Sequence, residues 1–172
     1  MTTHISAWPA VGAYDIDPAG SSVSFTGRHM FGTGKVHGRF TIKHGSVAVA
    51  EPIEASTVAV EIDATSFHTG LHSRDATVRS GAYLDAERFP VMTFVSDRVV
   101  RAEGSLALEG VFTVRDVSRP VRLEITEHSV ATGEFTAETN IRIDRREFGI
   151  TAGRGLTGRF LDVTARIRCV RR

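Results

Sequence analysis

His68 and His72 stand four residues apart, a spacing at which two imidazoles on one helical face can hold a divalent metal. No third ligand accompanies them, no HExxH motif is present, and Gly70 between them weakens a continuous helix, so no metal site is expected. Ser66, His68 and Asp75 are types used in nucleophilic catalysis, yet there is no GxSxG elbow and nothing that fixes their geometry. Gly153-Arg154-Gly155-Leu156-Thr157-Gly158 has the glycines of a phosphate loop without its lysine or a strand–loop–helix setting, and reads as a hairpin loop. Glu109, Glu124 and Glu138 fall on the outer face of strands, where solvation leaves nothing to raise a carboxylate toward general-acid work. Cys169 falls on the apolar face of the last strand and reads as an inert buried thiol. No catalytic residue is assigned.

What is left is chemistry of recognition. Alternation turns His29 inward on the first long strand. It is a hydrogen-bond partner for an oxygen of a bound ligand, an acid or base acting on a small apolar substrate, or a satisfied structural histidine. Arg74, Asp75 and Arg79 also have two readings. A guanidinium suits the paired oxygens of an anionic head group; alternatively the three cap a helix and anchor its loop.

These residues sit in or beside the one stretch that does not alternate, His68 to Phe94. Ser73 is placed to cap a helix, Asp75 falls in its first turn, Arg74 to Ser80 makes about two turns, and Gly81 suits a left-handed stop. Asp85 is placed to cap a second turn, Ala86-Glu87-Arg88, which must end before Pro90. Elements this short must lean on a larger structure.

That structure is written in period 2. Val23, Phe25, Gly27, His29 and Phe31 share one face, and after a turn at Gly32-Thr33-Gly34 so do Val36, Gly38, Phe40 and Ile42. Val58, Val60 and Ile62 continue the pattern, as do Met92 and Phe94 in a strand to about Ala102, then Leu106 to Val114. Pro120 limits the start of the next strand, with Val121, Leu123 and Ile125; Phe135 to Ile143 and Leu161 to Cys169 complete the set. About eight long strands joined by short turns predict an all-β, eight-stranded antiparallel extended barrel, with a short helical insertion around residues 66–90 closing one end. The inner face is almost free of ionisable groups. Phe25, Phe31, Phe40, Ile42, Val58, Val60, Phe94, Phe112, Phe135, Ile141, Leu161 and Val163 on it either fill the interior or line a channel, because pattern fixes facing and not volume. A filled barrel serving as an interaction module is the ligand-free alternative.

At 172 residues, 41% hydrophobic and 24% charged, the chain suits one globular domain over 13–172 behind an N-terminal tail, 1–12. A formal charge of +1 gives no reason to expect nucleic acid, and no apolar run reaches the ~20 residues of an integral membrane segment. A single cysteine and a first segment without a basic n-region or a long apolar core make the cytoplasm the expected compartment.

Several ordered pieces resemble one family. They are Tyr14-Asp15-Ile16-Asp17-Pro18 with Ser22-Val23-Ser24-Phe25, Arg28-His29-Met30-Phe31 with Val36-His37-Gly38-Arg39-Phe40, and Ser66-Phe67-His68-Thr69 with Arg74-Asp75 and Arg79-Ser80. Leu84-Asp85, Phe89-Pro90-Val91-Met92-Thr93-Phe94, Gly110-Val111-Phe112-Thr113-Val114, Arg119-Pro120-Val121 and Ile143-Asp144-Arg145-Arg146-Glu147-Phe148-Gly149-Ile150 follow. Together they resemble the YceI-like, lipocalin-like polyisoprenoid-binding proteins. The resemblance implies a tunnel that holds a long isoprenoid lipid, a quinone or a polyprenyl phosphate, with no other cofactor. It also implies a homodimer and a role as carrier, store or scavenger rather than enzyme. Two departures stand out: Thr77-Val78-Arg79 replaces the family's His-Leu-Arg run, and Gly110 to Val114 lacks the usual Leu-Thr form.

Overall fold

The computed structural model describes residues 8–29, 34–153 and 157–172. It contains strands β1 (Gly12–Ile16), β2 (Ser22–His29), β3 (Gly34–Val49), β4 (Thr57–His68) and β5 (Val91–Ala102), with one helix, α1 (His72–Arg79), between the last two. β6 (Ser105–Val114), β7 (Val117–Ala131), β8 (Glu134–Asp144) and β9 (Phe160–Arg171) follow. No described helix is long and apolar enough to cross a membrane.

The sheet closes antiparallel in the order β2-β9-β8-β7-β6-β5-β4-β3, with β3 returning to β2. The short β1 adds no ninth stave. Its Tyr14 pairs with Val47 of β3 and Arg171 of β9, while Phe25 of β2 pairs with Gly38 and Val163 of the same two strands. β1 and β2 therefore lie end to end in one slot, and the wall is eight strands around, as the alternation predicts. Closure at this size leaves an interior that side chains or one ligand can fill.

Local departures have local causes. β3 runs beyond Lys43 to Val49, because a register shift between Ile42 and His44 moves the inward set from even to odd positions. Gly45, Val47 and Val49 are then the buried residues. Pro120 lies inside β7, opposite Val111, instead of limiting its start. Pairing of β7 with β8 begins only at Ile125 and Thr139, so the proline sits on a stretch with a free edge, where a missing N–H breaks no ladder. α1 begins at His72 behind Leu71, with no side-chain cap, so Ser73 falls within the first turn. It ends at Ser80 in extended backbone, whose N–H reaches the Thr77 carbonyl, and Gly81 is not left-handed. Ala86 to Arg88 forms a single turn, with Asp85 at φ 49°.

Two apolar clusters mark the two ends of the barrel. Tyr14, Ile16, Val47, Phe135 and Cys169 belong to the β1 end, and Phe25, Phe67, Leu84, Phe148 and Ile150 to the α1 end. Phe40, Ile62 and Val163 pack against both.

Candidate functional site: an apolar chamber and its vestibule

A cavity of about 290 Å³ runs between the clusters, with residues of both on its wall. Phe25, Phe40, Val58, Val60, Phe94, Phe112, Phe135, Ile141, Leu161 and Val163 line it. Ile42 does not: it is 2% exposed and packed among Tyr14, Val47 and Val60, just before the register shift. Phe31 lies outside the described residues, as does the side chain of His29, whose backbone ends β2 opposite Gly34. Apart from Trp8, the described wall residues with polar side chains are Ser56, His128, Glu138, Thr139 and Arg145, and the Glu138 carboxylate pairs with the exposed Arg166 at 3.5 Å. The rings of Phe25, Phe40 and Phe67 meet at centroid distances of 5.2–5.6 Å toward the α1 end.

Trp8, His128, Arg145, Phe148 and Ile150 also line the chamber, and sequence alternation did not single them out. Trp8 and Pro9, ahead of β1, reach its wall, and Trp8 stacks on His128 at 5.3 Å. The remainder follow β8, where a short 3₁₀ turn (Arg145–Phe148) buries Phe148 against Phe112, 5.4 Å between centroids. A signal was present: Asp144 accepts from the Arg146 N–H as a turn cap, and Gly149 stops the turn at φ 76°.

A second cavity of about 340 Å³ lies beneath α1 and shares Phe25, Phe40, Leu84, Arg145, Ile150 and Leu161 with the chamber. Arg28, Arg74, Ser73, Thr77, Tyr83 and Thr157 complete its polar lining. Arg145 is 6% exposed and donates from Nε to the Gly158 carbonyl (2.8 Å), from Nη1 to Ile150 (2.9 Å) and from Nη2 to Thr157 (3.1 Å). Burial pushes its pKa down, but a guanidinium stays charged at neutral pH.

The three residues considered for head-group contact separate. Arg74 lines the second cavity, held by an Nε hydrogen bond to Thr69 Oγ1 at 2.8 Å. Asp75 lines neither cavity: it is 3% exposed and accepts from the Thr69 N–H (3.0 Å) and hydroxyl. Burial works to raise its pKa, but hydrogen bonds from the Thr69 hydroxyl and from the Thr69 and Gly70 N–H groups, with His68 nearby, hold it below the usual carboxylate value. Arg79 also lines neither, because its guanidinium donates to the Phe67 carbonyl. Both are loop anchors. Ser66 is spent on backbone, donating to the Asp63 carbonyl and accepting from the Thr41 N–H at 2.7 Å. His68 Nδ1 lies 3.7 Å from Asp75 Oδ2, and the described residues contain no group of three potential metal ligands. Cys169 is 1% exposed, and burial pushes its thiol up to about 12.

Comparison with known proteins gives the same architecture. A UPF0312 protein of Vibrio campbellii is 34% identical over 115 residues, 64% of this chain and 60% of its own length. Another, from Vibrio parahaemolyticus, is 32% identical over 126 residues, 72% of this chain and 66% of its own. The chain thus spans somewhat under two thirds of these relatives. Burkholderia cenocepacia BcnA superposes with a TM-score of 0.80 at 20% identity, over 89% of this chain and 98% of its own. A polyisoprenoid binding domain from Saccharophagus degradans superposes at 0.74 and 13% identity, over 92% and 98%. The profile described as YceI-like domain matches residues 14–169, nearly the whole barrel from Tyr14 to Cys169, and the chain belongs to the YceI-like family.

Proposed function

We propose that this protein binds a long isoprenoid lipid inside the barrel and acts as its carrier, store or scavenger, without catalysing a reaction on it. The observation that carries this reading is the chamber: it spans both end clusters, and its wall is apolar at almost every position. The name of the Saccharophagus neighbour, a polyisoprenoid binding domain of the same fold, supports the choice of lipid. Each methylene moved from water onto such a wall gains about 0.8 kcal/mol, offset in part by the cost of ordering the chain. The side chains with catalytic potential near α1 are engaged in holding loops, which favours binding over chemistry.

The test is mass spectrometry of a solvent extract from protein purified without detergent, backed by titration with quinones and polyprenyl phosphates. A stoichiometric isoprenoid is expected. Phe94→Asp, which places a charge on the wall, should abolish retention while the fold persists. Unchanged retention in that variant would remove the chamber as the binding site.

A further inference from the structure

All 20 acidic residues of the chain lie outside residues 18–50, a stretch that carries Arg28, Lys35, Arg39 and Lys43. A net charge of +1 hides this asymmetry. The stretch forms the β2–β3 hairpin, and alternation turns its cations to the outer face. Arg28 pairs in register with Lys35 and Ser24 with Arg39, while His37 lies between them opposite Thr26. Arg28, Lys35 and Arg39 are exposed. Arg28 acts on Asp162 of β9, whereas Lys35 and Arg39 form no ion pair with a described residue. The acids of the flanking elements are engaged. Asp63 of β4 accepts from the Thr65 N–H and hydroxyl, Asp75 of α1 is buried against Thr69, and Asp162 pairs with Arg142 at 2.8 Å. Positive potential therefore persists over this face, and an anionic partner at Lys35 and Arg39 breaks no existing pair. Lys43 lies farther along β3, next to the His44 that pairs with Glu61, and marks where the face ends.

Position selects the partner. Arg39 pairs in register with His68, the last residue of β4, so the face continues onto the segment that leads into α1. There Leu71 stands 51% exposed ahead of the helix, an apolar side chain in water at the cationic end of the barrel. The second cavity lies between the same two elements, lined by Val36 of the hairpin and Val78 of α1. An anionic bilayer answers both features, because its head groups neutralise the cations and its acyl boundary takes up the leucine. A nucleic acid would meet the cations and leave Leu71 in water. We infer that the outer face of the β2–β3 hairpin, together with Leu71, docks the barrel onto a bilayer rich in anionic lipids. Docking there brings the cavity beneath α1 close to the bilayer, which suits a carrier that exchanges lipid. That purpose rests on the lipid-binding reading above, and the docking itself is independent of it.

Co-sedimentation of the full chain with vesicles of phosphatidylcholine, and of an equal mixture with phosphatidylglycerol, tests it. The mixed vesicles should bind the protein at low salt and progressively less as ionic strength shortens the screening length, and the neutral ones should not. Lys35→Gln and Arg39→Gln should each weaken binding about fivefold, the worth of one cation near an anionic surface. Leu71→Ser should weaken it by a similar factor of about five through lost apolar burial. Arg122→Gln, on β7 across the barrel from β3, should leave it within about twofold. All four positions are exposed, so each variant should fold, which circular dichroism checks. Equal binding to neutral vesicles would overturn the inference, as would an Arg122 effect as large as those of Lys35 and Arg39. Duplex DNA that displaces the vesicles equally well from wild type and from Leu71→Ser would overturn it in favour of a general polyanion site. Failure to bind the mixed vesicles by protein that retains an isoprenoid would remove the docking face and leave the chamber standing. Vesicle binding by protein that retains none would remove the chamber reading and leave the docking face standing.

Discussion

Trp8 lies nearly parallel to His128, 16° between ring planes and 5.3 Å between centroids, and both rings face the apolar chamber at the end away from α1. Trp8 is the sole tryptophan of the chain, so it is a built-in reporter on occupancy. A quinone-headed or brominated isoprenoid entering the chamber should quench its emission with the same midpoint that calorimetry gives. Binding that leaves Trp8 emission untouched would place the chain elsewhere.

Asp75 gives the helical insertion an acid-sensitive anchor. Its folded pKa lies below the usual carboxylate value, so its contribution is complete above the unfolded carboxylate range and lost as pH falls through the folded value. Asp75→Asn should cost about 1–3 kcal/mol near neutrality, because the Thr69 donors lose a charged acceptor. Urea unfolding at pH 7 and pH 3 checks this. The gap between variant and wild type should narrow at the lower pH, and a constant gap would mean that the charge contributes nothing.

Two glycines should answer oppositely to alanine. A Cβ at Gly110 would lie 2.3 Å from the Val95 carbonyl oxygen, where β6 presses against the β5 backbone beside the register shift at Ser96. Gly110→Ala should therefore cost about 1–3 kcal/mol. Gly81→Ala meets only Asp85, at 3.8 Å, without a positive φ, and should be neutral or stabilise by up to about 1 kcal/mol. Thermal denaturation of the two variants separates them.

Cys169 should resist thiol reagents at pH 8 in the folded protein, since its thiol is pushed up to about 12 and the reactive thiolate is scarce. Reaction should appear with denaturant. Rapid labelling without denaturant would show that this end of the barrel opens far more often than the packed cluster suggests.

Alternation made the wall legible wherever a strand kept its period. Phe25, Phe40, Phe94, Phe112 and Phe135 all reach the chamber because period 2 fixes facing. Ile42 shows where that logic stops: it faces inward as the pattern demands, but a register shift one residue later packs the wall there instead of leaving space. Such a shift is set by the neighbouring strand and is not written in β3 alone. The ends of the chamber were harder still. Trp8, Arg145 and Phe148 arrive from segments without periodicity, and their positions depend on how strands far apart in sequence bring those segments over the openings. Arg74, Asp75 and Arg79 lie within six residues of one another, yet one lines a cavity and two hold loops, a division that only backbone partners reveal.

The shared slot of β1 and β2 splits one stave of the wall into two separately fastened halves. β1 is 5 residues long and closes the wall on the Trp8 side, while β2 independently completes it on the α1 side. Tyr14 and Ile16 of β1 are buried in the cluster at that end, so lifting β1 would expose apolar surface as well as break its ladders to β3 and β9. Short as it is, β1 is a packed plug, and a break in either half of the stave leaves the other half paired.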